Sequence, residues 1–168
     1  IANGGKKCKP TIESAKGGSA FGRKNCEDLE LKKETIDLIM EGMREACSPG
    51  GTGWPLFNFS VIPANAGIQS SPSPTGSRIG VRDDKVHIPI ACKTGTAELG
   101  DPKDSTHAWF TAFAPIPDQF IPDDVKQGEN YVSGEPEISV TVLVEGAGEG
   151  SNVAAPIAKK IFEEWFGR

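Results

Sequence analysis

The sequence lacks the marks of several large protein classes. No apolar run approaches the roughly 18 residues that a membrane-spanning helix requires, and the first residues do not have the pattern of a signal peptide. An excess of positive charge is also missing, because 18 Lys and Arg stand against 23 Asp and Glu, which gives a net charge of -5. Proteins that hold nucleic acid through its phosphates are normally basic, so we expect no nucleic-acid partner.

Metal-binding spacings are absent as well. No Cys-x-x-Cys pair occurs among the 4 Cys, and the two histidines, His87 and His107, lie far apart in sequence. We therefore expect no metal and no other cofactor. Four cysteines can be joined into two disulfides in three different ways, and the sequence does not choose among these connectivities. A bridge between Cys8 and Cys26 would suit an oxidising compartment, and four ordinary thiols are an equally good interpretation.

The composition is that of a folded protein with long loops. Of the 168 residues, 37% are hydrophobic and 24% are charged, which suffices for a hydrophobic core. Gly and Pro together make up about a fifth of the chain, against roughly 12% in average proteins. The chain starts at Ile1 rather than at Met, and we expect residues 1–168 to be the C-terminal portion of a larger domain.

Hydrophobic periodicity predicts two helices. The first ends at Pro49-Gly50, and its apolar residues recur at helical spacing: Ile36, Ile39, Met40, Met43 and Cys47. The second lies near the C-terminus, and its apolar stripe consists of Val153, Ile157, Ile161, Phe162 and Trp165. Between the two helices, residues 60–84 are rich in Ser and Pro, a composition that is typical of linkers. We expect this stretch to be a mobile surface insertion.

Alternating and β-branched residues predict three strands, Val86–Glu98, His107–Phe113 and Glu137–Val144. The connection between the first two is too short for the crossover of about 12 residues that a parallel pair needs, so this pair is predicted to be antiparallel. The predicted fold class is therefore α+β, with an antiparallel sheet flanked by helices.

Lys93-Thr94-Gly95-Thr96 is the segment whose residues point to a specific chemistry. It is not a phosphate-binding loop, because the two glycines that such a loop requires before its Lys are absent. Along a strand, Lys93 and Gly95 point to one side while Thr94 and Thr96 point to the other. A cation, two hydroxyls and a glycine that leaves room for a substrate backbone suit acyl transfer on a substrate with a carboxylate. The N–H of Thr96 would donate to the oxyanion that develops.

Several ordered segments resemble the C-terminal part of the transpeptidase domain of class B penicillin-binding proteins. The elongation-type branch, penicillin-binding protein 2-like, is indicated by residues 107–110 and 153–157. The similar segments span most of the chain, apart from roughly residues 60–84 and parts of 115–134. They are Ile1-Ala2-Asn3-Gly4-Gly5, Glu41-Gly42-Met43-Arg44, Gly51-Thr52-Gly53, Cys92 to Glu98, Thr106-His107-Ala108-Trp109-Phe110, the strand at 137–144 and the helix at 150–166.

This resemblance implies the fold of penicillin-binding and serine β-lactamase-like transpeptidases, and a full-length parent that is a serine-type peptidoglycan D,D-transpeptidase. In that family a serine attacks the D-Ala-D-Ala bond of a stem peptide, and Ser-x-x-Lys, Ser-x-Asn and Lys-Thr-Gly motifs supply the chemistry. Only the third motif occurs here, so we expect the serine to lie upstream and the isolated chain to be inactive. The resemblance assigns Lys93 and Thr96 to catalysis and Thr94, Gly95 and Thr96 to substrate binding.

The resemblance also implies partners and a location. The ligands would be peptidoglycan stem peptides and β-lactams. The parent would be anchored through an N-terminal segment at the extracytoplasmic face of the membrane and would work with a glycosyltransferase of the elongation machinery. One alternative shares the fold: a β-lactam-sensing receptor or a non-catalytic penicillin-binding pseudoenzyme domain. One residue departs from the family, because Cys92 stands where a Gly is common. His107 belongs to a segment that resembles the family, and a structural role suits it better than a catalytic one.

Overall fold

The computed structural model of the chain describes residues 1–8, 26–63, 85–100, 105–128 and 130–167. None of the helices in these ranges is long and apolar enough to cross a membrane. The strands and α-helices of the described residues are, in chain order, β1 (Lys6–Cys8), β2 (Cys26–Asp28), α1 (Lys33–Ala46), β3 (Ser60–Val61), β4 (Val86–His87), β5 (Ala91–Glu98), β6 (Thr106–Ala114), α2 (Asp123–Gly128), β7 (Ile138–Val144) and α3 (Ala154–Phe166). Trp54–Leu56 and Asp118–Phe120 form short 3-10 helices.

The sheet that organises the fold contains β5, β6 and β7 in that order, and both pairs are antiparallel. The predicted strands His107–Phe113 and Glu137–Val144 are confirmed to within one residue at each end as β6 and β7. In the register, Gly95 lies opposite Trp109. The antiparallel sheet with flanking helices confirms the predicted α+β fold class.

Alternate residues of this sheet contribute to two separate hydrophobic clusters. On one face, Phe110 and Val140 pack with Phe162 of α3. On the other face, Phe113 packs with Met40 of α1. Phe110 and Phe162 are completely buried, and burial of a side chain of this size stabilises the folded state by about 1.5–3 kcal/mol. The two helices thus fix the sheet from opposite sides.

The predicted strand Val86–Glu98 is two strands rather than one. β4 pairs with β3, whereas β5 pairs with β6, and Pro89 lies between them. Proline has no N–H to donate to a strand ladder, which explains why the pairing changes there. Ser60–Val61, the first residues of the predicted insertion, form β3, and residues 64–84 lie outside the described residues.

Helix α3 buries only part of the predicted apolar stripe, since Phe162 lies in the core and Val153 packs against it, whereas the other three members do not. Its buried residues are Ala154, Ala155, Ala158 and Phe162. Ile157, Ile161 and Trp165, which belong to the predicted apolar stripe, are 39–43% exposed and, with Lys160 and Glu164, line a shallow groove of about 340 Å³. The reason is that small alanine side chains let the helix axis approach the sheet closely, so this face rather than the bulkier one packs inward.

All four cysteines are paired. One disulfide joins Cys8 to Cys26, which face each other across the β1–β2 pair. The other joins Cys47, directly after α1, to Cys92 on β5. The disulfide interpretation is therefore the correct one of the two that the sequence left open. Cys92 is fully buried, and Cys47 is nearly so.

Candidate active site

Strand β5 carries the Lys-Thr-Gly-Thr segment along one margin of the described sheet. Its only partner strand in that sheet is β6, since the order is β5, β6, β7. Lys93 lies opposite Thr111, and Thr96 lies opposite Ala108. An edge strand directs alternate backbone N–H and C=O groups away from its neighbour, so it can pair with an extended ligand.

The side chains of the segment alternate between the two faces of β5, as they do in any strand. Thr94 and Thr96 share their face with Cys92 and thus with the cluster that α3 covers, whereas Lys93 and Gly95 share the opposite one. Lys93 and Thr96 are exposed, and Thr94 is half-buried. The segment therefore begins where the strand leaves the core and continues into accessible surface.

The ammonium group of Lys93 lies at the surface beside its own strand. Its Nζ donates to the carbonyl oxygen of Thr94. This contact joins neighbouring residues, so the flexible lysine stem can exchange it for an anionic ligand without disturbing the fold.

Gly95 has a packing reason to be glycine. A Cβ atom at this position would lie 3.2 Å from the Cβ atom of Trp109 on the paired strand. The Trp109 side chain is 39% exposed and lies on the Lys93 side of the sheet. Phe110, its neighbour, is completely buried. Of the two aromatic residues, Phe110 therefore belongs to the core and Trp109 to the wall beside Gly95.

Thr52 contributes a hydroxyl that sequence reasoning did not assign to the site. The Thr94 hydroxyl donates to the Thr52 Oγ1 atom over 2.8 Å, although 42 residues separate the two. Thr52 is exposed and lines an open groove of about 610 Å³ along the end of α1 and the loop that follows it. The Gly51-Thr52-Gly53 segment resembles the same family, but nothing in the sequence indicates this contact.

The loop that carries Thr52 is fastened to β5. The Gly53 N–H donates to the carbonyl oxygen of Ala46 over 2.7 Å. A Cβ atom on Gly53 would lie 2.5 Å from the sulfur of Cys92 and 2.8 Å from that of Cys47. Only glycine fits against this disulfide, and the disulfide in turn joins the loop to the strand two residues before Thr94.

His107 has a structural partner. Its Nδ1 atom accepts a hydrogen bond from the Gly146 N–H over 3.1 Å, in the turn that follows β7. A ring nitrogen that accepts from a backbone amide fixes the tautomer of the imidazole, because the proton must then lie on Nε2. This contact is consistent with the structural role expected for His107.

Asp118, Lys126 and Tyr131 form a polar cluster in the connection between β6 and β7. Tyr131 donates its hydroxyl proton to Asp118 Oδ1 over 2.9 Å, and Lys126 Nζ lies 3.1 Å from Asp118 Oδ2. Hydrogen bonds from Lys126 and Tyr131 lower the pKa of Asp118 from its ordinary value of 3.8. The same carboxylate raises the pKa of Tyr131 above its ordinary value of 10.0. Both pKa shifts share one cause, because the hydrogen bond between the two side chains stabilises the ionised carboxylate of Asp118 and the protonated phenol of Tyr131.

Comparison with protein families gives a match that covers most of the chain. A family model described as the penicillin binding protein transpeptidase domain matches residues 1–122. This range includes α1, β5 and β6, and thus all four residues of the Lys-Thr-Gly-Thr segment.

Two curated relatives are similar over shorter stretches. The peptidoglycan D,D-transpeptidase MrdA of Haemophilus influenzae is 32% identical over 87 residues, which cover 44% of this chain and 11% of the relative. The peptidoglycan D,D-transpeptidase PbpA of Mycolicibacterium smegmatis is 39% identical over 79 residues, which cover 43% of this chain and 13% of the relative. The matched stretch thus spans about a tenth of the length of these relatives. No solved structure matches the chain significantly.

Proposed function

The chain belongs to the penicillin binding protein transpeptidase domain family, and from this premise we propose that it forms the part of a peptidoglycan D,D-transpeptidase that holds the substrate beside the reacting serine. The observation that carries the proposal is the position of Lys93-Thr94-Gly95-Thr96 on the accessible edge strand β5. Both curated relatives are named as peptidoglycan D,D-transpeptidases, which favours the enzyme over a receptor with the same fold.

In the proposed reaction, a serine oxygen attacks the carbonyl carbon of the D-Ala-D-Ala bond and gives its proton to a base. The bond to the terminal D-Ala then breaks, and that amine leaves with the proton. An amine of a second stem peptide attacks the resulting ester, forms the cross-link and releases the serine. β-Lactams follow the first half of this reaction and remain attached to the serine as an ester.

The residues of β5 would bind the carboxylate of the ligand and stabilise the oxyanion that forms in this reaction. The Thr94 and Thr96 hydroxyls bind the terminal carboxylate of the stem peptide or β-lactam. Lys93 sustains a positive field and hydrogen bonds toward the serine of the Ser-x-Asn motif, which is not the attacking serine. The N–H of Thr96 donates to the oxyanion that develops on the attacked carbonyl. Gly95 keeps the strand free of a side chain where the ligand backbone lies alongside it.

The serine itself comes from outside these 168 residues in our proposal, because no serine in the sequence has Lys three residues later or Asn two residues later. The isolated chain is therefore inactive, whereas the full-length protein that contains it is a membrane-anchored enzyme at the extracytoplasmic face. There it cross-links stem peptides for cell shape alongside a glycosyltransferase of the elongation machinery. The two disulfides support an oxidising compartment, in which such bonds persist.

Acylation by a fluorescent penicillin tests this function. The full-length protein should acquire a covalent label that survives denaturation, and the isolated chain should not. Lys93→Ala in the full-length protein should slow acylation by about 10²–10³, the cost of removing one electrostatic group from such a site. Lys160→Ala on the exposed side of α3 is the matched control and should leave the rate unchanged. A labelled isolated chain, or an unchanged rate in Lys93→Ala, would contradict the proposal.

A further inference from the structure

We propose that Thr52 is a second carboxylate-binding residue, which acts together with Thr94 and is supplied by the loop after α1. The inference rests on the proposed function, since it concerns the same ligand carboxylate. It adds to that function a residue that lies 42 positions before Thr94 and outside the Lys-Thr-Gly-Thr segment.

The direction of the hydrogen bond between the two hydroxyls shows which of them still has a proton for a ligand. A threonine hydroxyl has one proton to donate and can accept two hydrogen bonds. The Thr94 hydroxyl donates its one proton to Thr52 Oγ1. Thr52 retains its own proton for a further acceptor, and Thr52 is exposed to the open groove beside α1. Before a ligand binds, the hydroxyl with a proton to donate is therefore that of Thr52, and Thr94 donates to the ligand once its bond to Thr52 opens.

The spacing of the two hydroxyls suits a carboxylate. Their oxygen atoms lie 2.8 Å apart, near enough for the two oxygens of one carboxylate to accept a hydrogen bond from each hydroxyl. Hydrogen bonds to an ionised acceptor are shorter and stronger than those between neutral hydroxyls. A ligand carboxylate therefore replaces the contact between the two threonines with a pair of charge-assisted bonds.

The loop around Thr52 is fixed before a ligand arrives. The Cys47–Cys92 disulfide joins the end of α1 to β5, and Gly53 packs against both sulfur atoms. The Gly51 N–H also donates to the Ser48 carbonyl oxygen over 2.9 Å. Because the loop is held at both sides of Thr52, little conformational entropy is lost when the hydroxyl binds.

The test separates the carboxylate contact from a general effect on the site. Acylation rates of the full-length protein are measured with a penicillin and with its methyl ester, which lacks the negative charge. Thr52→Val keeps the shape of the side chain and removes the hydroxyl, and it should slow acylation by the penicillin about 10- to 100-fold, as expected for a lost bond to a charged group. The rate with the ester should be the same in Thr52→Val as in the unmodified protein.

Two further variants complete the design. Thr52→Ser retains the hydroxyl and should react with the penicillin nearly as fast as the unmodified protein. Thr141→Val is the control. Thr141 also shares a hydrogen bond with another threonine, Thr111, with their oxygens 2.9 Å apart, but this pair lies on the Lys93 side of the sheet. Removal of the Thr141 hydroxyl should leave both acylation rates unchanged.

The possible results distinguish this inference from the function on which it rests. An unchanged penicillin rate in Thr52→Val, or an equal loss with the ester, would overturn the inference and leave the proposed function standing. A loss in Thr141→Val as large as that in Thr52→Val would also overturn it, since the effect would then not depend on the site. If the unmodified full-length protein is not acylated at all, both the function and the inference are wrong.

Discussion

Replacing Gly150 with Ala should destabilise the sheet that carries the candidate site. A Cβ atom at this position would lie 2.1 Å from the carbonyl oxygen of Trp109 and 2.8 Å from that of Gly95. The shorter distance is about 1.3 Å inside an ordinary contact of 3.4 Å, and both atoms belong to the backbone of paired strands, which cannot rotate away. Insertion of a methyl group into a well-packed region costs about 1–3 kcal/mol, and we expect a value near 3 kcal/mol here.

Urea unfolding of the disulfide-bonded 168-residue chain measures this loss directly. Gly42→Ala is the control, because Gly42 lies within α1 and a Cβ atom there would meet nothing within 4 Å. In a helix interior, Ala is more stable than Gly by about 0.5–1 kcal/mol, so the control should be slightly stabilised. If Gly150→Ala unfolds at the same urea concentration as the unmodified chain, the close approach of the loop before α3 to the sheet is refuted.

Two other parts of the molecule give predictions of the same kind. Phe162→Ala should lower the free energy of unfolding by about 3–5 kcal/mol, whereas Ile161→Ala, at a side chain that is 40% exposed, should cost about 1 kcal/mol or less; equal losses would contradict the assigned face of α3. Tyr131→Phe should move the pKa of Asp118 upward toward 3.8, as followed by NMR titration of its carboxyl carbon, because one of the hydrogen bonds that lower it is lost. The lowered pKa of Asp118 stabilises the folded protein above about pH 4, and this stabilisation is lost as the pH falls through that pKa. The raised pKa of Tyr131 stabilises the folded protein below pH 10, and this stabilisation is lost at higher pH. An unchanged pKa of Asp118 in Tyr131→Phe would contradict the coupling between the two groups.

The strands were predictable from the sequence because their signal is local. Residues 137–144 are β-branched at most positions, and residues 107–113 combine aromatic with small residues in a way that suits a central strand. The family resemblance was predictable for a similar reason, since it depends on short ordered segments, and the match over residues 1–122 confirms it. The end of one strand and the start of the next at Pro89 is consistent with the missing N–H of proline. The alternation of Val86, Ile88 and Ile90 nevertheless favours one continuous strand, so the sequence pattern predicts the wrong boundary.

The orientation of α3 was not predictable from hydrophobicity. Ile157, Ile161 and Trp165 are the more apolar residues, yet the buried face contains three alanines and Phe162. Hydrophobic periodicity measures the character of a face, whereas packing selects the face whose shape fits the sheet. Only the sheet itself supplies that shape, and the helix sequence does not contain it.

The candidate site was predictable only in the part that lies on one strand. Lys93-Thr94-Gly95-Thr96 is contiguous, so a single motif identifies it. Thr52 reaches Thr94 because a disulfide and a tight glycine bring a distant loop against the strand. Long-range contacts of this kind leave no periodic or local pattern in a single sequence. The pairing of Cys47 with Cys92 was one of three connectivities that the sequence could not rank.

The connectivity of the two disulfides has a consequence for biogenesis. Each cysteine is bonded to the next one along the chain, first with second and third with fourth, so neither bridge encloses or crosses the other. Among these four cysteines, a polypeptide that emerges from its amino end offers each thiol its correct partner before the other pair appears. Oxidation in this order would therefore reach the native pairing of these four cysteines directly, without reshuffling between them.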